Sequence, residues 1–267
     1  MVSRPFGSTG KHVSALGFGC MRFPQRSDDP ADIDRDLALN MMRTAVDQGV
    51  DYIDTAYPYH NGQSEVVVGQ ALKDGYRAKV MLATKLPTWM LASEDDAERL
   101  LDEQLARLDQ SSVDVYLVHN LGASTWPLIA KYRVLETLEK ARGEGKFTHL
   151  GFSFHGPFDL FKEIVDAYDG WEIAQIQYNY ANERVQAGTG GLAYGAAKGL
   201  AMVIMEPLLG GCLATPPPRV AEAFAGAATR RSAAEWALRW LWDKPEVGTV
   251  LSGMSTMDQV EQNIAAA

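Results

Sequence analysis

Polar residues that could carry chemistry stand at the ends of short apolar segments of this chain. Three of them, Asp54, Lys85 and His119, could act together in proton chemistry. A carboxylate, an ammonium group and an imidazole brought together can move protons and stabilise developing charge. Each alone also has an ordinary structural interpretation, as a turn residue, a solvated strand end or a buried histidine. The interpretation as a site depends on the whole set, whose other members are Ser153, Gln175, Gln177 and Glu206.

Eight predicted strands that alternate with amphipathic helices would position these residues. Apolar residues four apart, as in the segment 32–48, are typical of a helix with one buried face. Ser93, and Ser232 with Glu235, have the pattern of helix N-caps. The predicted strands cover residues 13–19, 52–54, 80–84, 113–118, 148–152, 173–177, 201–205 and 249–251, and the predicted helices cover residues 32–48, 65–72, 93–108, 131–142, 158–168, 192–198, 232–240 and 257–265.

This alternation predicts parallel strands joined by crossover connections. Strands that are apolar throughout fit a sheet that is covered on both faces. The whole chain, residues 1–267, is predicted to form one domain of the α/β class, a (β/α)8 TIM barrel. Such barrels routinely take about 250 residues, and their active sites form at the carboxyl ends of the strands, where the polar set stands. A doubly wound open sheet is the alternative architecture.

Composition narrows the classes of partner. The formal net charge of −9 argues against binding to nucleic acids and to anionic membranes, which both require a basic surface. The two cysteines, Cys20 and Cys212, belong to no metal-ligand pattern, so no metal site is predicted. There is no secretory signal and no apolar run of about 18 residues. We therefore expect a cytoplasmic protein.

Over nearly its whole length the chain resembles the aldo-keto reductase superfamily. It is most similar to the branch with YPYH at 57–60 and LSGM at 251–254. Longer members of that branch append an iron–sulfur domain, so this chain is expected to be a short member or a truncated one. The segments that carry the resemblance are DTAYPY at 54–59, ATK at 83–85, YLVH at 116–119, GFS at 151–153, QIQY at 175–178, EPLLGG at 206–211 and QN at 262–263.

The resemblance implies the reduction of aldehydes and ketones, or the oxidation of alcohols, with a nicotinamide cofactor. It makes Tyr59 the proton donor. Since the pKa of free tyrosine is about 10, the transfer would benefit from a nearby cation, which Lys85 would supply. Asp54 would hold Lys85 in place and keep it protonated. His119 would donate a hydrogen bond to the carbonyl oxygen.

The same resemblance assigns the cofactor contacts. Ser153 and Gln175 would bind the nicotinamide carboxamide. Relatives often carry a lysine and an arginine for the adenosine 2′-phosphate where this chain has Gly253 and Gln259. Both NADPH and NADH are therefore predicted cofactors, with weak discrimination between them. The other predicted cofactor-binding residues are Pro207, Leu208, Gly210, Ser255 and Asn263.

The predicted substrate is a small carbonyl compound. The substrate pocket is predicted to be apolar or tolerant of aromatic groups, because its candidate residues are Met21, Tyr57, Trp89 and Trp126.

Two other functions remain open at this stage. One is a nicotinamide-binding regulatory subunit with little turnover, and the other is a Schiff-base aldolase that uses Lys85. The segment GTGGLA at 188–193 formally fits a dinucleotide-binding fingerprint. Because it does not directly follow a strand, it is interpreted as a flexible loop at the rim.

Overall fold

Eight short apolar strands form the frame of the molecule. The computed structural model describes residues 1–267. The strands of the main sheet pair in parallel, in chain order, and the last pairs with the first, so the sheet closes. The predicted barrel is confirmed and the open sheet is excluded. In chain order the strands are β1 Ser3–Pro5, β2 His12–Ser14, β3 Leu16–Gly19, β4 Tyr52–Asp54, β5 Met81–Pro87, β6 Val113–Leu121, β7 Phe147–Phe154, β8 Ile173–Gln177, β9 Ala201–Met205 and β10 Val247–Gly253.

The helices pack their apolar faces onto the outside of this barrel. Ser232 caps α9 by accepting a hydrogen bond from the Glu235 N–H at 3.1 Å, as its sequence pattern predicts. No helix combines the length and apolarity that a membrane span requires. The helices are α1 Arg35–Asp47, α2 Gln63–Ala71, α3 Asp96–Leu108, α4 Trp126–Lys131, α5 Val134–Gly143, α6 Phe158–Asp166, α7 Gly188–Ala197, α8 Pro218–Ala225, α9 Ala233–Trp242 and α10 Met257–Ala266.

Every second residue of each strand points into the barrel and fills its interior. An inner cluster of buried apolar side chains includes Ala83 and Leu117. Side chains alternate between the two faces of a strand, so Lys85 and His119, two residues further along, also face inward. They lie nearer the carboxyl ends of their strands. Asp54 and Gln175 follow the cluster members Tyr52 and Ile173 in the same way.

The amino-terminal segment differs from its prediction. The predicted strand 13–19 is divided at Ala15 into β2 and β3, and β2 pairs with β1 in an antiparallel hairpin. In the turn after β1, the fully buried ring of Phe6 contacts the Tyr52 ring inside the barrel at 5.5 Å. The hairpin therefore closes the amino end of the barrel. Apolarity could not reveal the division, because Ala15 is itself buried.

Two helices begin where the sequence predicts none. The glycine-rich segment at 188–191 is the first turn of α7, so its interpretation as a flexible rim loop was wrong. Helix α8, which is absent from the predicted elements, begins at Pro218. Proline suits the first turn of a helix because the N–H that it lacks would have no partner there.

Two helix boundaries also differ. The predicted helix 131–142 is divided into α4 and α5 by Arg133, which adopts a φ of +49°. Ser93 does not cap α3. Instead, the Asp96 carboxylate accepts hydrogen bonds from the N–H groups of Ala92 and Ser93, both at 2.8 Å, and so fixes the turn before the helix.

A buried polar network lies behind Lys85. Fully buried Glu65 accepts hydrogen bonds from Thr84 and Gln104, both at 2.7 Å. Gln104 also donates to the Lys85 carbonyl at 3.0 Å and accepts from the Tyr116 hydroxyl at 2.8 Å. Burial raises the pKa of Glu65, against the effect of its hydrogen bonds. Gln104 thus joins α3 to β5 and β6 and supports the strand that carries Lys85.

We expect Gln104→Leu to lower the free energy of unfolding by about 3 kcal/mol, because it leaves several buried polar groups without a partner. Chemical denaturation measures the loss. The matched control is Gln262→Leu. Gln262 is exposed on α10, and its side-chain amide makes no hydrogen bond within the chain. That change should stay within about 0.5 kcal/mol of the wild type. Equal, small losses in both variants would show that the network does not stabilise the fold.

Candidate active site

The ammonium group of Lys85 is the centre of the predicted site. Its Nζ lies 2.7 Å from Asp54 Oδ1, 2.8 Å from the Thr55 carbonyl and 3.2 Å from the Tyr59 hydroxyl. Lys85 and Asp54 are almost fully buried. An ammonium group has three N–H donors, and here each one has an acceptor. The structure therefore brings together three of the four predicted catalytic residues around one buried cation.

The protonation states of these groups follow from their contacts. Burial lowers the pKa of Lys85, but Asp54 and Tyr59 outweigh burial and raise that pKa above its usual value. Burial raises the pKa of Asp54 and Lys85 lowers it; the pair is ionised because a neutral amine could not donate to all three acceptors. Burial raises the pKa of Tyr59, against the effect of Lys85. Tyr59 is thus a protonated phenol beside a cation.

His119 completes the predicted set at the same mouth. Its ring lies 6.2 Å from the Tyr59 ring and 5.1 Å from the Trp89 ring, between centroids. Burial, together with repulsion from Lys85, holds the pKa of His119 well below its usual value. The imidazole is therefore neutral near neutral pH. A neutral imidazole has one N–H, so it can donate a hydrogen bond to an oxygen without adding charge.

The loop that carries Tyr59 is held by a histidine whose role the sequence did not indicate. His60 and Asn61 adopt φ values of +53° and +52°, which are unusual for residues other than glycine. The His60 Nε2 accepts the Phe23 N–H at 3.1 Å, and its Nδ1 lies 2.8 Å from the Pro30 carbonyl. These contacts tie the Tyr59 loop to the segment after β3. In the sequence, His60 was marked only by its place in the YPYH segment, beside Tyr59.

The two residues predicted to bind nicotinamide lie on neighbouring strands, facing each other across β7 and β8. The Ser153 hydroxyl accepts the Asn120 N–H at 2.8 Å. Gln175 Nε2 lies 3.7 Å from Met205 Sδ, and Gln175 Oε1 is buried without a partner. A buried amide oxygen without a donor is unfavourable. An amide N–H of a nicotinamide group would satisfy it, so these residues fit the predicted cofactor.

The remaining predicted cofactor residues lie at or after the carboxyl ends of β9 and β10, which pair. Gly210, exposed and with a φ of +65°, follows β9 in the loop that begins with Pro207 and Leu208. Gly253 ends β10 and is exposed. In the loop after it the Ser255 N–H donates to Gln259 Oε1 of α10 at 2.8 Å, and Asn263 of α10 donates to the Ser252 hydroxyl at 2.9 Å.

The four residues predicted for the substrate pocket separate into two pairs. Met21 and Trp89 are about half exposed, at 54% and 48%, and Trp89 lies against the His119 ring. Tyr57 instead donates to Glu103 of α3 at 2.9 Å, and Trp126 donates to Glu163 of α6 at 3.1 Å. The polar atoms of this second pair are therefore directed towards helices of the outer layer.

A cavity of about 900 Å³ is separate from this site. It lies along the outer face of α9 and is lined by aromatic and arginine side chains. Arg231 and Arg239 both contact Glu235, and Arg4 donates to backbone carbonyls. Because its three arginines, Arg4, Arg231 and Arg239, already have partners, this cavity does not compete with the barrel mouth as a catalytic site.

A phenol, a buried cation and a neutral imidazole at the mouth of a parallel barrel define a site suited to proton transfer to a carbonyl oxygen. Comparison with known proteins agrees. Residues 15–267 match the Aldo/keto reductase family. L-galactose dehydrogenase of Arabidopsis thaliana is 29% identical over 284 residues, which cover 98% of this chain and 87% of that protein.

Solved structures give the same result. The holo form of an aldo-keto reductase from Bacillus halodurans superimposes with a TM-score of 0.83 at 26% identity, covering 100% of this chain and 90% of that one. An aldo/keto reductase from Klebsiella pneumoniae, in complex with NADP and acetate, has a TM-score of 0.79 at 26% identity, covering 99% and 89%. The chain belongs to the aldo/keto reductase family. It is a nicotinamide-dependent oxidoreductase that interconverts carbonyls and alcohols.

Proposed function

We propose that the chain reduces small aldehydes and ketones with Tyr59 as the proton donor. The observation that carries this proposal is the 3.2 Å contact between the Tyr59 hydroxyl and Lys85 Nζ. Protonating the carbonyl oxygen converts the phenol to a phenolate. The Lys85 cation stabilises that phenolate, and Asp54 prevents Lys85 from losing its charge in a buried position.

His119 is proposed to orient the substrate. As a neutral imidazole it donates a hydrogen bond to the carbonyl oxygen and leaves the proton transfer to Tyr59. The nicotinamide cofactor, when bound, supplies the hydride. Ser153 and Gln175 hold the nicotinamide carboxamide, and the loops after β9 and β10 hold the rest of the cofactor. Met21 and Trp89 form an apolar wall of the substrate pocket, with Tyr57 and Trp126 further out.

The two alternative functions are less well supported. A Schiff-base aldolase needs a lysine whose pKa is lowered enough to leave a free amine, whereas the pKa of Lys85 is raised. A regulatory subunit with little turnover would not require an ionised Asp54–Lys85 pair in contact with a protonated tyrosine. We propose a cytoplasmic enzyme, and the net charge of −9 argues against a nucleic-acid partner.

The proposal is tested by mixing the protein with NADPH or NADH and a panel of aldehydes and ketones. Loss of the reduced cofactor's absorbance, with formation of the alcohol, measures turnover. We expect turnover with at least one class of aldehyde. Tight cofactor binding without turnover on any member of the panel would instead support the regulatory subunit.

A further inference from the structure

Arg22 lies directly against the loop that follows β10. If Gly253 carried a Cβ, that atom would lie 2.8 Å from Arg22 Cγ and 3.1 Å from Arg22 Cβ. The side chain of Arg22 therefore occupies the space that any larger residue at 253 would fill. The Ser255 hydroxyl donates to the Arg22 carbonyl at 2.8 Å. The hydrogen bond from Ser255 and the close approach to Gly253 thus place Arg22, which follows β3 in the chain, beside this loop.

The guanidinium group of Arg22 is free to bind a ligand. Arg22 is exposed and forms no side-chain hydrogen bond and no ion pair within the chain. Arg26, four residues later, is by contrast paired with Asp34 at 3.3 Å. The carboxylate of the nearby helix turn, Asp258, is exposed and does not pair with Arg22. An unpaired arginine in a chain of net charge −9 is therefore available at this loop.

The loop itself offers few free donors. The Gln259 side chain already accepts the Ser255 N–H at 2.8 Å, and the Thr256 hydroxyl accepts the Gln259 N–H at 3.3 Å. Neither Gly253 nor Gln259 carries charge. A dianionic phosphate at this loop would need a cation, since charge-assisted hydrogen bonds are about twice as strong as neutral ones. Arg22 is a cation whose aliphatic stem the fold places against that loop.

We propose that Arg22 binds the adenosine 2′-phosphate of NADPH and makes the enzyme prefer NADPH over NADH. This inference rests on the proposed placement of the adenosine end of the cofactor at residues 253–259. It also replaces the weak discrimination between NADPH and NADH that the sequence predicts. The cation absent from positions 253 and 259 is supplied by a residue more than 200 positions earlier in the chain. Glycine at 253 is what allows Arg22 to reach the loop.

Arg22→Gln tests the proposal through cofactor titrations followed by quenching of tryptophan fluorescence. We expect the Kd for NADPH to rise about tenfold, with the Kd for NADH changed less than about twofold, and the NADPH effect to shrink at high salt. Competition by adenosine 2′,5′-bisphosphate, which lacks nicotinamide, should weaken by the same factor as NADPH binding. Lys11→Gln removes one exposed charge near the amino end of the barrel and should change neither Kd.

Gly253→Ala is a second variant that keeps Arg22 but displaces its side chain, and it should weaken NADPH binding selectively. Glycine at 253 has no positive φ, so alanine fits the backbone there. An unchanged Kd for NADPH in Arg22→Gln would overturn the inference. So would an equal loss for NADPH and NADH, which would place Arg22 on a phosphate that both cofactors share. If the wild type binds neither cofactor, the proposed function fails as well.

Discussion

Tyr59→Phe should lower the rate of carbonyl reduction at least about 10²-fold, the usual contribution of a general acid. The variant keeps the aromatic ring and its packing against Lys85 and His119. It removes only the proton that the carbonyl oxygen receives. Since the hydroxyl is not proposed to contact the cofactor, the Kd for NADPH should be almost unchanged. Steady-state rates on a good aldehyde, together with cofactor titrations, measure both quantities.

Tyr76→Phe provides the matched control for this experiment. Tyr76 also carries a hydroxyl in a hydrogen bond, to Asp47 at 2.8 Å, but it is far from the barrel mouth. Its loss should leave the rate near that of the wild type. A Tyr59→Phe enzyme that reduces a good aldehyde as fast as Tyr76→Phe would show that another group provides the proton.

The barrel was predictable because its strands carry a simple signal. Strands β4, β8 and β9 have the bounds that their apolar runs predict, since each is buried on both faces and ends at a polar residue or a loop. The site was predictable for a related reason. Parallel strands place their carboxyl ends at one rim, so Asp54, Lys85 and His119 had to meet there once the sheet closed.

What could not be predicted depends on contacts between distant residues. Strand β2 belongs to a longer apolar run in the sequence, because the Ala15 that separates β2 from β3 is buried like its neighbours. The packing of Arg22 against Gly253 could not be predicted, because the residues around each of them form no pattern that indicates the other as its neighbour. The hydrogen bonds of His60 to Phe23 and Pro30 require a positive φ at His60, which its residue type does not favour.

Lys85→Met should lower the free energy of unfolding by about 3–5 kcal/mol, because it leaves the Asp54 carboxylate buried without its cation. It should also abolish most activity, since Tyr59 loses the charge that stabilises its phenolate. Protonation of Asp54 in the folded variant recovers part of the lost stability. Denaturation experiments on the wild type and the variant measure the loss of stability, and aldehyde reduction measures the loss of activity.

The direction in which the stability of the Lys85→Met variant changes with pH follows from the pKa of Asp54. Burial raises the pKa of Asp54, and in the variant Lys85 no longer opposes that rise. The native state of the variant then holds a proton that the unfolded state, with a pKa of about 3.9, has already released. Stability is therefore present at low pH and is lost as the pH rises through the folded pKa. The variant should be more stable relative to the wild type at about pH 5 than at about pH 7.

The double variant Asp54→Asn with Lys85→Met separates stability from catalysis. It removes both charges, so no uncompensated ion stays buried, and most of the lost stability should return. The pH dependence of the single variant should disappear with the carboxylate. Activity should not return, because Tyr59 still lacks its cation. If Lys85→Met is as stable as the wild type at about pH 7, then Asp54 is not held as a buried carboxylate that depends on Lys85.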